Sequence, residues 1–260
     1  MAATYKIYLV NLQLESKKFW CFLDQAIRGL PSDKVLGNSN AFLTVPTFGP
    51  NRQDLFSIPS AYTLGVGASK KPVERYNFIE STYMVPLALE EGWLASYFQN
   101  GENRGPILTA DRPTNKKDIR VSTNVYDKKK EPINDWNGSM NFGIKSDNVS
   151  IGNTWSHDSD RSYYIRPRFN FFITTGSYEP RHLVDLQAIE ANAARVGRSN
   201  FDAALKCTVI LHTDGSWTVQ AGDPSQLPKL FNLSCRLKNT SQLLMKISET
   251  SLFTNPFNHF

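Results

Sequence analysis

The chain has little cysteine and histidine. Of 260 residues only three are cysteines and four are histidines. The cysteines are Cys21, Cys207 and Cys235. The histidines are His157, His182, His212 and His259. Neither set has the close spacing of metal ligands, and an odd, dispersed set of cysteines does not make a disulfide framework. We therefore expect no metal and no cofactor.

A long apolar run is also absent. Without 18 consecutive apolar residues, the sequence predicts no transmembrane segment. Residues 1–20 contain Lys6, Glu15, Lys17 and Lys18 within an alternating pattern, which is not the pattern of a signal peptide. Because unpaired cysteines suit a reducing compartment, we expect a cytoplasmic protein.

Signals for nucleotide and nucleic-acid binding are weak. Gly65 and Gly67 begin a G-x-G-x-x-G spacing, but the third position is Lys70 and no helix start follows, so we assign both glycines to a turn or bulge. The net charge is +5, yet the basic residues are scattered among 24 acidic ones. The run 128–130 is three lysines, which is typical of a solvated loop. No nucleic-acid partner is expected.

The composition instead favours β-structure. Aromatic residues make up 12% of the chain, and 15 glycines with 14 prolines favour short strands separated by turns. Neither an internal repeat nor a composition typical of a linker divides the chain. We predict one antiparallel, jelly-roll-like β-sandwich of about a dozen strands over residues 1–260. Within it, 187–195 forms one short helix and 225–260 is a C-terminal extension packing on the sandwich.

The stretch 163–173 has the clearest strand pattern. Alternate residues on one face are aromatic, β-branched or proline: Tyr163, Ile165, Pro167, Phe169, Phe171 and Ile173. The other face carries Tyr164, Arg166, Arg168, Asn170 and Phe172. This period of two predicts one long strand with one side on the core and one side in water.

Three hairpins are predicted around this strand. Residues 4–12 and 19–23 alternate or are continuously apolar, so we expect an opening hairpin with a buried second arm. A second hairpin is centred on 146–148. Asp214 and Gly215 lie between two alternating runs, which is the strongest hairpin signal in the chain.

Two pairs of residues are candidates for acid–base chemistry. His157 and Asp158 precede the central stretch and could act as an acid–base pair or a weak cation site, or simply form a polar hairpin tip. His182 and Asp185, three apart, could hold a proton relay. No serine has the flanking glycines of a nucleophile elbow, and Cys21 lies in an apolar run typical of a buried thiol.

Aromatic and basic residues near the central stretch are candidates for binding a substrate. These are Trp20, Trp155, Tyr164, Arg166, Arg168, Phe172 and Tyr178. Such aromatic residues can line a pocket for a flat apolar ligand or form stacking platforms for sugars. Each tryptophan could equally belong to the core.

Several segments resemble a family of β-rich fungal and bacterial proteins. They are FWCFL at 19–23, GVGAS at 65–69, YIRPRFNFFITTGSY at 164–178 followed by LVDL, and the later DGSWTV. In that family a P-x-x-x-F-x-x-x-T-G-x-Y stretch precedes a V-V-D-like strand and a terminal G-x-W-T-V strand. The resemblance covers roughly 4–221 and implies a β-rich fold, with no catalytic motif to transfer.

Two classes of function fit these observations. The first is a cofactor-independent cyclase or isomerase of the pericyclase type in specialised metabolism, which holds an apolar small molecule in an aromatic-lined cavity and polarises a carbonyl. The second is a non-catalytic, lectin-like or membrane-binding β-sandwich. Aromatic residues that converge on a cavity favour the enzyme, whereas a row on the loops favours the binder. Either could be a homo-oligomer.

Overall fold

A computed structural model describes residues 3–47, 54–97, 106–114, 118–129, 136–146 and 149–226. Over these residues the chain forms β-strands and one short α-helix, which confirms the predicted all-β sandwich. The described strands are β1 Thr4–Asn11, β2 Lys17–Leu23, β3 Ile27–Arg28, β4 Val35–Ser39, β5 Phe42–Val45, β6 Leu55–Pro59, β7 Tyr62–Ser69, β8 Tyr83–Leu87, β9 Gly92–Ser96, β10 Ile107–Asp111, β11 Ile119–Thr123, β12 Asn137–Lys145, β13 Ser150–Ser156, β14 Ser162–Ile165, β15 Phe171–Thr175, β16 Val184–Asp185, β17 Ala194–Val196, β18 Lys206–Leu211 and β19 Trp217–Ala221. The helix, α1, is Leu186–Glu190, and three-residue 3₁₀ turns begin at Ser32, Arg198 and Pro224.

The described strands form four sheets. Sheet 1 has the order β19-β18-β1-β6, sheet 2 β17-β15-β2-β5, sheet 3 β10-β9-β11-β14-β3 and sheet 4 β16-β4-β13-β12-β7-β8. The pairs β1/β18 and β9/β11 are parallel, and the other pairs between these strands are antiparallel. All four sheets contribute to one continuous core, with Ile7, Phe171, Val121 and Phe142 as members from sheets 1 to 4 respectively.

The inner strands of sheet 2, β2 and β15, are buried on both faces. On β2, Phe19 and Cys21 face the main core, whereas Trp20 and Phe22 face a second apolar cluster covered by Leu186 of α1. A strand buried on both sides has a continuous apolar sequence rather than an alternating one. This burial explains the run of apolar residues in β2.

The predicted opening hairpin is wrong, although its second arm is buried as expected. β1 pairs with β18 and β6, whereas β2 pairs with β15 and β5 in a different sheet. Other strands therefore occupy both edges of β1 and both edges of β2. The connection between them leads from one sheet to another instead of forming a hairpin turn.

The central stretch is also not one strand. β14 ends at Ile165 in sheet 3 and β15 begins at Phe171 in sheet 2, with 166–170 as a non-strand link. Pro167 has no backbone N–H to donate to a ladder, so pairing cannot continue through it. The inward alternation survives on both sides of the link, because Tyr163 and Phe171 both lie in the main core.

Two predicted hairpins are confirmed, and the predicted helix is shorter than expected. β12 and β13 form one hairpin, and β18 and β19 form the other around Gly215, whose φ of +86° favours glycine. The helix α1 begins after its N-cap Asp185 and ends at Glu190. It does not extend to residue 195 because Ala194–Val196 pairs with β15 as β17.

Gly65 and Gly67 lie inside β7 and pair with β12, so their assignment to a turn or bulge is wrong. A Cβ on Gly67 would lie 2.4 Å from the backbone oxygen of Glu80, and one on Gly65 would lie 2.5 Å from Oγ of Ser81. The chain at 80–81 crosses this face of the strand at close range. Only glycine leaves room for that crossing.

Cys21 and Cys207 are free thiols with no exposed surface. Burial raises the pKa of both thiols, that of Cys207 to about 12.

Cys235, His259 and the predicted extension from 227 onward lie outside the described residues. In the described part of the chain, no helix has the length and apolar content needed to cross a bilayer.

Replacing Gly67 with alanine is expected to destabilise the fold by about 1–3 kcal/mol, because the added Cβ must displace backbone. Ser69→Ala is the control, since Ser69 lies on the same face of β7 two residues later. Urea denaturation of both variants measures the difference. Equal midpoints for Gly67→Ala and Ser69→Ala would contradict the close packing of 80–81 on β7.

Candidate functional site

Two open clefts contain charged and aromatic groups that could meet a ligand. The charged cleft has a volume of about 900 Å³ and is lined by Lys34, Glu74, Arg75, Lys128, Asp158 and Arg161. The tyrosine–arginine cleft has a volume of about 760 Å³ and is lined by Tyr5, Tyr62, Leu87, Arg168, Phe169 and Arg198. Both volumes lie within the range of small-molecule sites.

The lining of the tyrosine–arginine cleft comes from separate parts of the chain. Tyr5 is near the start of β1, and Tyr62 is the first residue of β7. Arg168 and Phe169 belong to the link between β14 and β15, and Arg198 begins the 3₁₀ turn after β17. The break of the central stretch at Pro167 is what brings the link to this cleft.

Aromatic rings form the floor of this cleft. The ring centroids of Tyr5 and Phe169 are 4.1 Å apart, and those of Tyr62 and Phe169 are 6.2 Å apart. Below them Tyr62 stacks on buried Phe142 at 5.1 Å, and Phe169 meets Phe171 edge-on at 4.8 Å. These contacts with the main core fix the orientation of the floor.

Hydrogen-bond donors in the tyrosine–arginine cleft include the Tyr62 phenol and the guanidinium groups of Arg168 and Arg198. Burial, with a smaller contribution from Tyr5, raises the pKa of the Tyr62 phenol above its ordinary value, and the neighbouring Arg198 opposes this shift. The phenol therefore stays protonated at neutral pH. Arg168 and Arg198 are both exposed at the rim.

The charged cleft contains Asp158, one of the predicted catalytic residues. Lys128 Nζ donates to one carboxylate oxygen at 2.6 Å, and Arg161 Nη1 donates to the other at 2.9 Å. The hydrogen bond from Lys128, with help from Arg161, lowers the pKa of Asp158. The carboxylate is held ionised between two cations, which suits a structural ion pair better than proton transfer.

His157 lies next to Asp158 but is fully buried. Its ring stacks on Tyr97 with centroids 3.6 Å apart and tilts against Tyr126 at 5.4 Å. It also fills the space above Gly138, where a Cβ would lie 2.0 Å from the imidazole. Burial, followed by the charge of Lys128, lowers the pKa of His157 to about 3, so the ring is neutral at physiological pH.

His182 and Asp185 have separate contacts. Asp185 caps α1 by accepting from the backbone of Gln187 at 3.0 Å, and it pairs with Arg75 of the charged cleft at 2.5 Å. His182 instead packs edge-on against Phe78, with centroids 6.4 Å apart. The contacts of the two residues therefore give no support to a relay.

The seven predicted substrate-binding residues are divided among several places. Trp20, Phe172 and Tyr178 meet in the second apolar cluster, and Trp155 is buried in the main core. Tyr164 is exposed on β14. The remaining two residues are arginines. Arg166 donates to the buried carboxylate of Asp118 at 2.6 and 3.1 Å, and Arg168 lines the tyrosine–arginine cleft.

Sequence reasoning missed Tyr5, Tyr62, Phe169 and Arg198 as a group. Tyr5 and Phe169 have the expected inward alternation, but the pattern does not indicate that their rings touch. Tyr62 and Arg198 carry no local signal at all. Among the described residues, no three His, Cys, Asp or Glu side chains are grouped as metal ligands.

No protein-family model, no curated protein and no solved structure matches this chain. The function must therefore be inferred from the residues of the clefts.

The burial of His157 is expected to make the fold less stable in acid. The unfolded imidazole binds its proton near pH 6.5 and the folded one only near 3, so between these values the unfolded chain holds more protons. As the pH falls through this window, His157 lowers the free energy of unfolding by up to about 1.4 kcal/mol per pH unit. Denaturant titrations at several pH values measure the slope.

His157→Gln should flatten this pH dependence, whatever its effect on stability at neutral pH. Tyr126→Phe removes one phenol oxygen from the same aromatic surroundings and keeps both the buried imidazole and the neighbouring ring, so it should keep a slope close to that of the wild type. A His157→Gln slope equal to that of the wild type would contradict the role of the imidazole.

Proposed function

We propose that the tyrosine–arginine cleft binds a planar, largely apolar small molecule and that the protein acts on it as a cofactor-independent cyclase or isomerase. The observation that carries this proposal is the floor made by Tyr5, Tyr62 and Phe169, which faces an open cleft of about 760 Å³. Aromatic rings with fixed orientation select flat ligands by stacking and by excluding water.

The chemistry open to this cleft is polarisation and positioning. Among the described lining residues there is no histidine, cysteine, aspartate or glutamate, so acid–base catalysis by a carboxyl, thiol or imidazole has no candidate there. Guanidinium and phenol groups can instead donate to a carbonyl oxygen as charge develops on it. A single donor of this kind, placed well, contributes about 10²–10³ in rate.

Ring closures and isomerisations suit such a site. They need the reacting atoms held in one geometry, and positioning alone can lower the barrier by several kcal/mol, about 7–11 in favourable cases. The floor is anchored to buried Phe142 and Phe171, so binding does not have to order it. A preformed surface reduces the entropic cost of holding the substrate.

A specific observation also favours the non-catalytic, lectin-like alternative. A third cleft, of about 460 Å³, has Trp217 beside the amides of Gln13 and Asn192 and the hydroxyl of Thr175. The Trp217 indole donates to the backbone oxygen of Asn192 at 3.2 Å, which fixes its ring. A fixed indole with amide and hydroxyl neighbours is a surface on which a sugar ring can stack.

Ala88→Trp is expected to abolish ligand retention, because Ala88 is an exposed lining residue and the new indole would occupy the tyrosine–arginine cleft. Ala203→Trp is the matched control, since Ala203 is exposed in a turn and lines none of the described clefts. Native mass spectrometry after incubation with small-molecule extracts of the source cells measures retention. We expect at least a tenfold loss for Ala88→Trp alone.

Conversion of the retained molecule to an isomer of equal mass, seen by chromatography, would support the cyclase or isomerase. Retention of a small molecule without its conversion would indicate a binding protein and would overturn the cyclase or isomerase activity. Retention of glycans or lipids alone, unaffected by Ala88→Trp, would overturn the proposal and favour the lectin-like or membrane-binding alternative.

A further inference from the structure

The charge at the tyrosine–arginine cleft is unbalanced. Arg168 and Arg198 are its charged lining residues, and no carboxylate lines it within the described part of the chain. Carboxylates do lie next to the lining, but they have other partners. Asp118, next to Ile119, is bound by Arg166 at 2.6 Å, Glu91 accepts from the backbone N–H of Ala88 at 3.1 Å, and Asp24 pairs with Arg195 at 3.0 Å. Within the described residues, no carboxylate pairs with Arg168 or Arg198.

This differs from most arginines in the described residues. Six others form ion pairs: Arg28, Arg75, Arg120, Arg161, Arg166 and Arg195. For Arg168 and Arg198, the described structure shows neither an ion pair nor a hydrogen bond to a carboxylate. Like charges at one rim repel each other weakly in water, and an anion bound by both removes that repulsion.

The phenols add donors to the same place. Neither Tyr5 nor Tyr62 makes a side-chain hydrogen bond in the part of the protein that is described. The Tyr62 phenol is close enough to Arg198 to feel its charge, and its raised pKa keeps it a donor. The cleft therefore offers two guanidinium groups and two phenol groups, none of them paired with a carboxylate among the described residues.

A planar guanidinium pairs with a carboxylate through two parallel hydrogen bonds, a geometry that also fixes the plane of the ligand. A neutral carbonyl oxygen can accept from two donors, but it carries no negative charge and would leave both guanidinium charges uncompensated. A ligand with a carboxylate at the rim would pair with the arginines, and its flat apolar part would lie on the aromatic floor.

We infer that the ligand of the tyrosine–arginine cleft is a planar carboxylate, whose anionic group is bound by Arg168 and Arg198 and whose ring lies on Tyr5, Tyr62 and Phe169. This inference rests on the proposed function of the cleft and specifies the class of its substrate. Arg168 and Arg198 are then determinants of specificity, and the aromatic floor supplies affinity for any flat molecule.

The probes are 2-naphthoate and 2-naphthamide, which have the same shape and differ in charge. Isothermal titration calorimetry at low salt should show naphthoate binding at least about tenfold more tightly than the amide, with its affinity falling as salt is added. Arg168→Gln and Arg198→Gln should each weaken naphthoate binding about tenfold and leave naphthamide binding unchanged. Arg161→Gln, in the charged cleft, is the control and should change neither.

The outcomes separate this inference from the proposed function. Equal affinity for both probes, lost together in Ala88→Trp, would overturn the carboxylate inference while supporting the flat-ligand cleft. Preference for naphthoate that persists in both arginine variants would overturn the assignment to Arg168 and Arg198. Failure of both probes to bind the wild type would count against the inference and the proposed function alike.

Discussion

The interruption of the central stretch at Pro167 is the constraint on which this architecture depends. Because proline cannot donate to a ladder, the chain leaves sheet 3 at Ile165 and enters sheet 2 at Phe171. The bidentate contact between Arg166 and Asp118 fixes the place where it leaves. One continuous strand would have tied both segments to a single sheet, whereas the break lets adjacent segments build two sheets that share a core.

The same interruption links the fold to the candidate site. The link between β14 and β15 is not in a ladder, so its side chains are free to face a cleft instead of alternating across a sheet. Arg168 is exposed and Phe169 packs partly against the core, which divides the link into a charged and an aromatic part. The charged cleft is different in kind, because the ion pairs of Asp158 and Asp185 already satisfy Lys128, Arg161 and Arg75.

Sequence patterns predicted part of the local structure and few of the strand partners. The inward alternation at Tyr163 and Ile165 and the Asp214-Gly215 turn are set by neighbours in sequence, so they could be predicted. The parallel pairing of β1 with β18 joins residues about 200 positions apart, and no local pattern encodes it. For the same reason Tyr62 and Arg198 could not be assigned to one cleft.

Trp20 and Trp155 show a second limit of sequence reasoning. Both were candidates for substrate binding, and both lie in apolar clusters of the fold. An aromatic residue looks the same in the sequence whether it fills a core or lines a pocket.

The assembly of the tyrosine–arginine cleft from distant segments has a thermodynamic consequence. Tyr5, Tyr62, Phe169 and Arg198 come together only when the sheets are packed, so the unfolded chain has no equivalent binding surface. Any occupant must then shift the folding equilibrium by mass action, by about 2.7 kcal/mol when its free concentration is 100 times its Kd. Melting temperature thus becomes a reporter of occupancy that needs neither a known reaction nor a chromophore on the ligand.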